Sequence, residues 1–169
     1  MAISLYDFSI PSLMRGLTNM SAILDKAIAH AAAKKIDSAT MAQLRLFPDM
    51  HPLSRQVQIA CDTAKGAAGR LAGAEIPKHE DNETTLPELK ARIAKTMDFL
   101  KSIKAEQMAG DDARPIEIKF PSGSWKFTAR SYLVDFVLPN FYFHVGMVYA
   151  LLRKGGIDLG KRDYLGLIQ

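Results

Sequence analysis

From Phe136 to Leu152 the chain carries no Asp, Glu, Lys or Arg. A run of that kind must be hidden from water. It falls short of the ~20 residues needed to cross a bilayer, and it contains Pro139, Asn140 and His144, so it reads as a buried core helix and no membrane association is expected. Leu133, Val137, Asn140, His144, Val148 and Leu151 fall on one line of such a helix, which puts Asn140 and His144 one turn apart on the inward face. The helix is expected from about Arg130 to Lys154, with a turn adjustment at Pro139 and a stop at Gly155–Gly156.

A core helix needs partners, and the same periodicity supplies three. Leu13, Leu17, Met20, Leu24, Ala27 and Ala31 define a helix from Pro11 to about Ala33, with Pro11 in its first turn. After a loop with at most one helical turn, Leu53, Val57, Ala60, Ala64, Ala67 and Leu71 define a second helix. Its narrow face, lined by alanines and by Gly66 and Gly69, suits close approach of a neighbour deep in a bundle. Thr85–Leu86–Pro87–Glu88 is a capping box with proline in the first turn, opening a third helix along Leu86, Leu89, Ile93, Met97, Leu100 and Ile103.

Between the third and fourth helices the period drops to two. Ile116, Ile118 and Phe120 alternate with Glu117 and Lys119, and PSGS leads into Trp125, Lys126 and Phe127, which is the pattern of a β-hairpin. Two strands are not stable alone, so one face must rest on the bundle. The expected fold class is therefore all-α: a four-helix bundle with a small hairpin between helices 3 and 4, in a single domain over residues 1–169.

Composition excludes several function classes. The net charge is +4, but Lys and Arg are scattered as pairs such as Lys34–Lys35 and Lys161–Arg162, with no nucleic-acid reading motif, so no nucleic acid is expected as a partner. The single cysteine, Cys61, excludes an intramolecular disulfide, and MAISLYDFSI lacks the basic start and apolar core of a signal peptide; a cytoplasmic protein is expected. Gly155 to Lys161 matches the spacing of a phosphate loop, but Arg162 stands where Ser or Thr is required and the stretch follows a helix rather than a strand. Cys61 is expected to be inert core, His79 solvated, and His30 suited to the end of the first helix. His144 has two readings, a core histidine with a satisfied ring or a pocket residue beside Asn140.

The order of elements, the LPNFYFH stretch, the PDMHPL stretch before helix 2 and the ending YALLRKGGIDLGKRDYLG resemble a domain-of-unknown-function family grouped with the DinB/YfiT-like putative metalloenzymes. That resemblance covers nearly the whole chain. It implies a four-helix bundle in which members bind a divalent metal through three histidines, one from helix 2 and an H-x-x-x-H pair from helix 4; some use the metal to activate a small thiol. On this sequence His144 matches the second helix 4 histidine, Asn140 stands at the first, and Ile59 falls where the helix 2 histidine belongs. One imidazole and a neutral amide are too little for zinc or nickel, so no metal and no cofactor are expected.

The expectation is thus a bundle with a degenerate metal site formed by Ile59, Asn140 and His144, acting as a non-catalytic small-ligand-binding or structural protein. The competing reading is a small-thiol transferase-like enzyme using His144, with His51 as a second ligand or with no metal. Helix 4 is also apolar around its whole girth, through Phe136, Phe141, Tyr142, Phe143, Met147, Tyr149 and Leu152. A homodimer through helix 4 is expected, unless the hairpin with Trp125 and Phe127 covers that surface.

Overall fold

In the computed structural model, which describes residues 4–166, four long helices carry the chain. These are α1 (Leu5–Lys34), α3 (Leu53–Ala72), α4 (Leu86–Ser102) and α6 (Leu138–Lys154). Short helices α2 (Ser38–Ala42), α5 (Ala129–Ser131) and α7 (Lys161–Leu165) join or follow them, and strands β1 (Pro115–Phe120) and β2 (Gly123–Thr128) form the hairpin between α4 and α5. The long helices pack in the ring α1, α4, α3, α6. Gln56 and Thr63 of α3 meet His144 and Asn140 of α6, so those two helices run antiparallel. Arg55 near the start of α3 pairs with Asp81 just ahead of α4, while Arg114, beyond the end of α4, reaches Leu71 at the end of α3; α3 and α4 therefore run in parallel and need the long crossing loop between them.

The first helix starts six residues earlier than its apolar stripe indicates. Ser4 and Asp7 form a reciprocal capping box that satisfies the orphan N–H groups, and Pro11 sits inside the helix rather than in its first turn. Pro11 faces solvent, where water can take up the carbonyl its ring leaves free. The capping box at α4 forms as its sequence requires, Thr85 accepting from the Glu88 N–H and the Glu88 carboxylate accepting from the Thr85 N–H at 2.9 Å. Ser38 Oγ takes up the next free amide, that of Leu86, at 2.9 Å.

Ahead of Pro139 the chain widens into a π-helical stretch, Tyr132–Val137, before α6 begins. Proline has no N–H to give to a carbonyl four residues back, and a wider turn relieves the clash of its ring with that carbonyl. The hairpin lies on this stretch. Trp125 and Phe127 meet Phe136 with ring centroids 5.7 and 5.8 Å apart, and Phe127 is 5.8 Å from Tyr132.

Much of the remaining girth of α6 is covered from within the chain. Phe141 is fully buried against Gly16 of α1, and Tyr149 stands edge-on to Tyr164 of α7, a helix that the apolar pattern did not reveal. What stays open is one outward stripe: Pro139, Phe143, Gly146, Met147 and Ala150.

Gly16 is the tightest helix crossing. A Cβ there would lie 2.5 and 2.8 Å from Cε1 and Cζ of the Phe141 ring, which is enclosed on all sides. Gly16→Ala is expected to destabilise the protein by about 1–3 kcal/mol through overpacking, even though alanine is the better helix former. Urea unfolding checks this, and Phe141→Leu in the same chain should recover part of the loss; an alanine variant as stable as the parent would show that the ring can move.

Candidate functional site

His144 is 8% exposed, and its Nδ1 lies 2.6 Å from Oε1 of Gln56 across the α3–α6 seam. The Gln56 amide is oriented by its other end, where Nε2 donates to the His51 carbonyl at 3.2 Å. Oε1 is thereby the acceptor, so Nδ1 of His144 carries the proton and donates. Nε2 keeps its lone pair, takes no hydrogen bond from the described residues, and reaches solvent. Burial, with the neighbouring charges of His51 and Arg55 adding to it, lowers the imidazole pKa to about 4. The ring is neutral at pH 7.

One turn earlier, Asn140 donates from Nδ2 to the Thr63 hydroxyl at 2.8 Å. Gln56 and Thr63 are thus the α3 residues that pair with the polar face of α6. Ile59 lies between them in sequence, half-buried, and is not among the apolar side chains packed on the core. His51 precedes α3, is exposed, and contributes its backbone carbonyl to the Gln56 amide.

This donor set does not fit a zinc- or nickel-type ion. Around His144 stand two amides and a hydroxyl, each already engaged, and neutral oxygens are poor substitutes for imidazole or thiolate. Among the described residues no group of three or more His, Cys, Asp or Glu side chains is placed to hold a metal. Cys61 offers no alternative. It is wholly buried, and that burial pushes its thiol up to about 12.

The densest electrostatic cluster lies on the other side of α3 and was not legible from periodicity. Arg92, a charged residue of α4, is 2% exposed. Its Nη2 donates to Asp62 at 2.8 Å and Asp81 at 2.9 Å, and its Nη1 to Glu83 at 3.1 Å and to the Glu80 carbonyl at 2.9 Å. Arg55 also pairs with Asp81, Gln58 donates to Glu83, and Lys65 binds Asp62 and the Pro77 carbonyl. Partial burial pushes the Asp81 carboxyl up, but Arg55 and Arg92 together outweigh it and hold it below the usual carboxylate range.

The whole assembly pins the loop between α3 and α4. Within it, His79 is half-buried rather than solvated, with Nδ1 sealed and unpartnered.

Among the described residues, the clefts on α1 do not include His144 in their lining. A cleft of about 730 Å³ lies between Leu5 and Phe8 of α1, Met108, and Leu133 and Val134 of the π-helical stretch, with Arg130 among its lining residues. One helix, Ala129–Lys154, is long and apolar enough to cross a membrane by length and composition. It is the core helix of this bundle, and its Asn140 and His144 side chains bond to α3.

An up-down-down-up bundle with a polar α3–α6 seam and a hairpin ahead of the last long helix defines a DinB-like fold. The chain is similar to a crystal structure of a DinB family member protein from Shewanella denitrificans, with 41% sequence identity and a TM-score of 0.89 over 97% of this chain and 93% of that chain. It belongs to the DUF1993 family, a domain of unknown function, whose family model matches residues 5–165. No curated protein matches the sequence.

Proposed function

We propose that this protein is a DinB-like bundle without metal-dependent chemistry, serving as a non-catalytic binding or structural module. The observation that carries this reading is the 2.6 Å bond between His144 Nδ1 and Gln56, where a cross-bundle amide occupies the residue most suited to metal binding. Asn140 is likewise committed to Thr63. The two pairs act as polar clasps that set the register of α3 against α6, because a slip of either helix would leave buried polar groups unpaired.

The competing reading, in which His144 activates a small thiol, meets a physical obstacle. A base with a pKa of about 4 is poorly matched to a thiol that ionises near 8.5, and efficient proton transfer needs a pKa close to the working pH. For a small ligand, the apolar cleft lined by Phe8, Met108, Leu133 and Val134 offers more room than the α3–α6 seam.

Elemental analysis of protein purified without chelator or histidine tag tests the proposal. Expected is a metal content far below one ion per chain, with no rise in melting temperature on adding zinc or nickel. Stoichiometric metal that is lost in His144→Ala would overturn it.

A further inference from the structure

The outward stripe of α6 is left partly open in this chain, Pro139 and Phe143 exposed and Gly146, Met147 and Ala150 half-buried. Phe143 at its centre is 55% exposed, Gly146 has nothing within 4 Å of where a Cβ would stand, and Pro139, Met147 and Ala150 complete an apolar surface. Only 39% of the most apolar window in this helix is buried. The stripe ends in opposite charges. Asp135 is exposed at its N-terminal end and Lys154 at its C-terminal end, and among the described residues neither has an ionic partner. The Lys154 ammonium donates only to the carbonyls of Arg45 and Leu46.

We infer that this stripe is a self-complementary docking surface for a second copy of the chain, the two α6 helices packing antiparallel about a two-fold axis. In that register Phe143 of each copy sits over Gly146 of the other, Pro139 lies opposite Ala150, and Asp135 lies opposite Lys154. Each large side chain meets a small one, and each unpaired charge meets its opposite. A parallel pairing would place Asp135 beside Asp135 and Phe143 against Phe143. The antiparallel arrangement is isologous, as two-fold closure requires, and Gly146 permits the close approach of backbones that such helix packing favours.

This inference is independent of the proposed absence of metal chemistry, since it uses only the outer face of α6. Light scattering after gel filtration, at tens of micromolar protein, is expected to give twice the chain mass of 18.7 kDa. Gly146→Leu should give a folded monomer that still unfolds cooperatively, because the position is open in the single chain and glycine is a poor helix former. Asp135→Lys and Lys154→Asp should each weaken the dimer and together restore it.

A wild-type monomer, including one that instead binds anionic phospholipid vesicles through Phe143, overturns the proposal. So does a dimer that survives Gly146→Leu. A dimer that each charge reversal weakens but the double reversal fails to restore overturns the antiparallel register.

Discussion

Replacing Arg92 by methionine is expected to cost about 3–5 kcal/mol of folding stability, a loss typical of removing one partner from a buried ion cluster. Methionine fills much of the same volume, so the cost is electrostatic. It strands Glu83, whose side chain is only 12% exposed, beside Asp62 and Asp81, and leaves the Glu80 carbonyl without its donor. Three carboxylates that shared one guanidinium would then repel one another. The loop between α3 and α4 should come free first, so limited proteolysis is expected to cut near Lys78 in the variant and not in the parent. Adding Glu83→Gln to Arg92→Met should recover part of the loss by removing the most buried of the stranded charges. A cost below about 1 kcal/mol in urea unfolding would mean that Arg55, Gln58 and Lys65 suffice to hold the loop, against the reading of Arg92 as its anchor.

Acid should destabilise the protein through His144 well before the carboxylates titrate. The folded-state pKa of about 4 lies below the ordinary imidazole value of 6.5, so across that window the unfolded chain binds more protons than the folded one. The contribution of the neutral ring is whole above 6.5 and drains away as pH falls toward 4. At about 1.4 kcal/mol per pKa unit, the loss amounts to about 3 kcal/mol. His79, whose ring is also shifted down by burial first and by Lys65 and Arg92 next, titrates in the same direction. The measurement is therefore a difference: urea midpoints across this pH range for the parent and for His144→Gln, which can still donate to Gln56 but cannot take up a proton. The variant should show a markedly flatter pH dependence, and parallel curves would rule out His144 as the acid-sensitive group.

The four long helices were legible because apolar spacing is a local property. Leu13 to Ala31, Leu53 to Leu71 and Leu86 to Leu100 each declare one buried face, and the turn chemistry of Thr85 and Glu88 marks a boundary without reference to the rest of the chain. The hairpin was legible for the same reason, through the alternation of Ile116, Ile118 and Phe120. Even His144 could be placed on the inward face of its helix, because Val137, Val148 and Leu151 fix which side of α6 is in.

Which groups meet across the bundle is not local, and there the tertiary structure decided. The helix of Leu86–Ser102 shows the limit, since its apolar stripe says nothing of Arg92, which Asp62 of α3 and Asp81 and Glu83 of the crossing loop enclose and bury. The α3–α6 seam shows it again. The family resemblance named Ile59, Asn140 and His144, but it could not say which polar groups of α3 they would meet; the antiparallel packing brings Gln56 to His144 and Thr63 to Asn140. The cover over α6 came in part from the hairpin on Phe136, the alternative its aromatic residues offered, and in part from α7 on Tyr149, which no apolar stripe announces. Periodicity reports which face of a helix avoids water; it carries no term for the offset and direction of a neighbouring helix, and those set which polar groups meet across the α3–α6 seam.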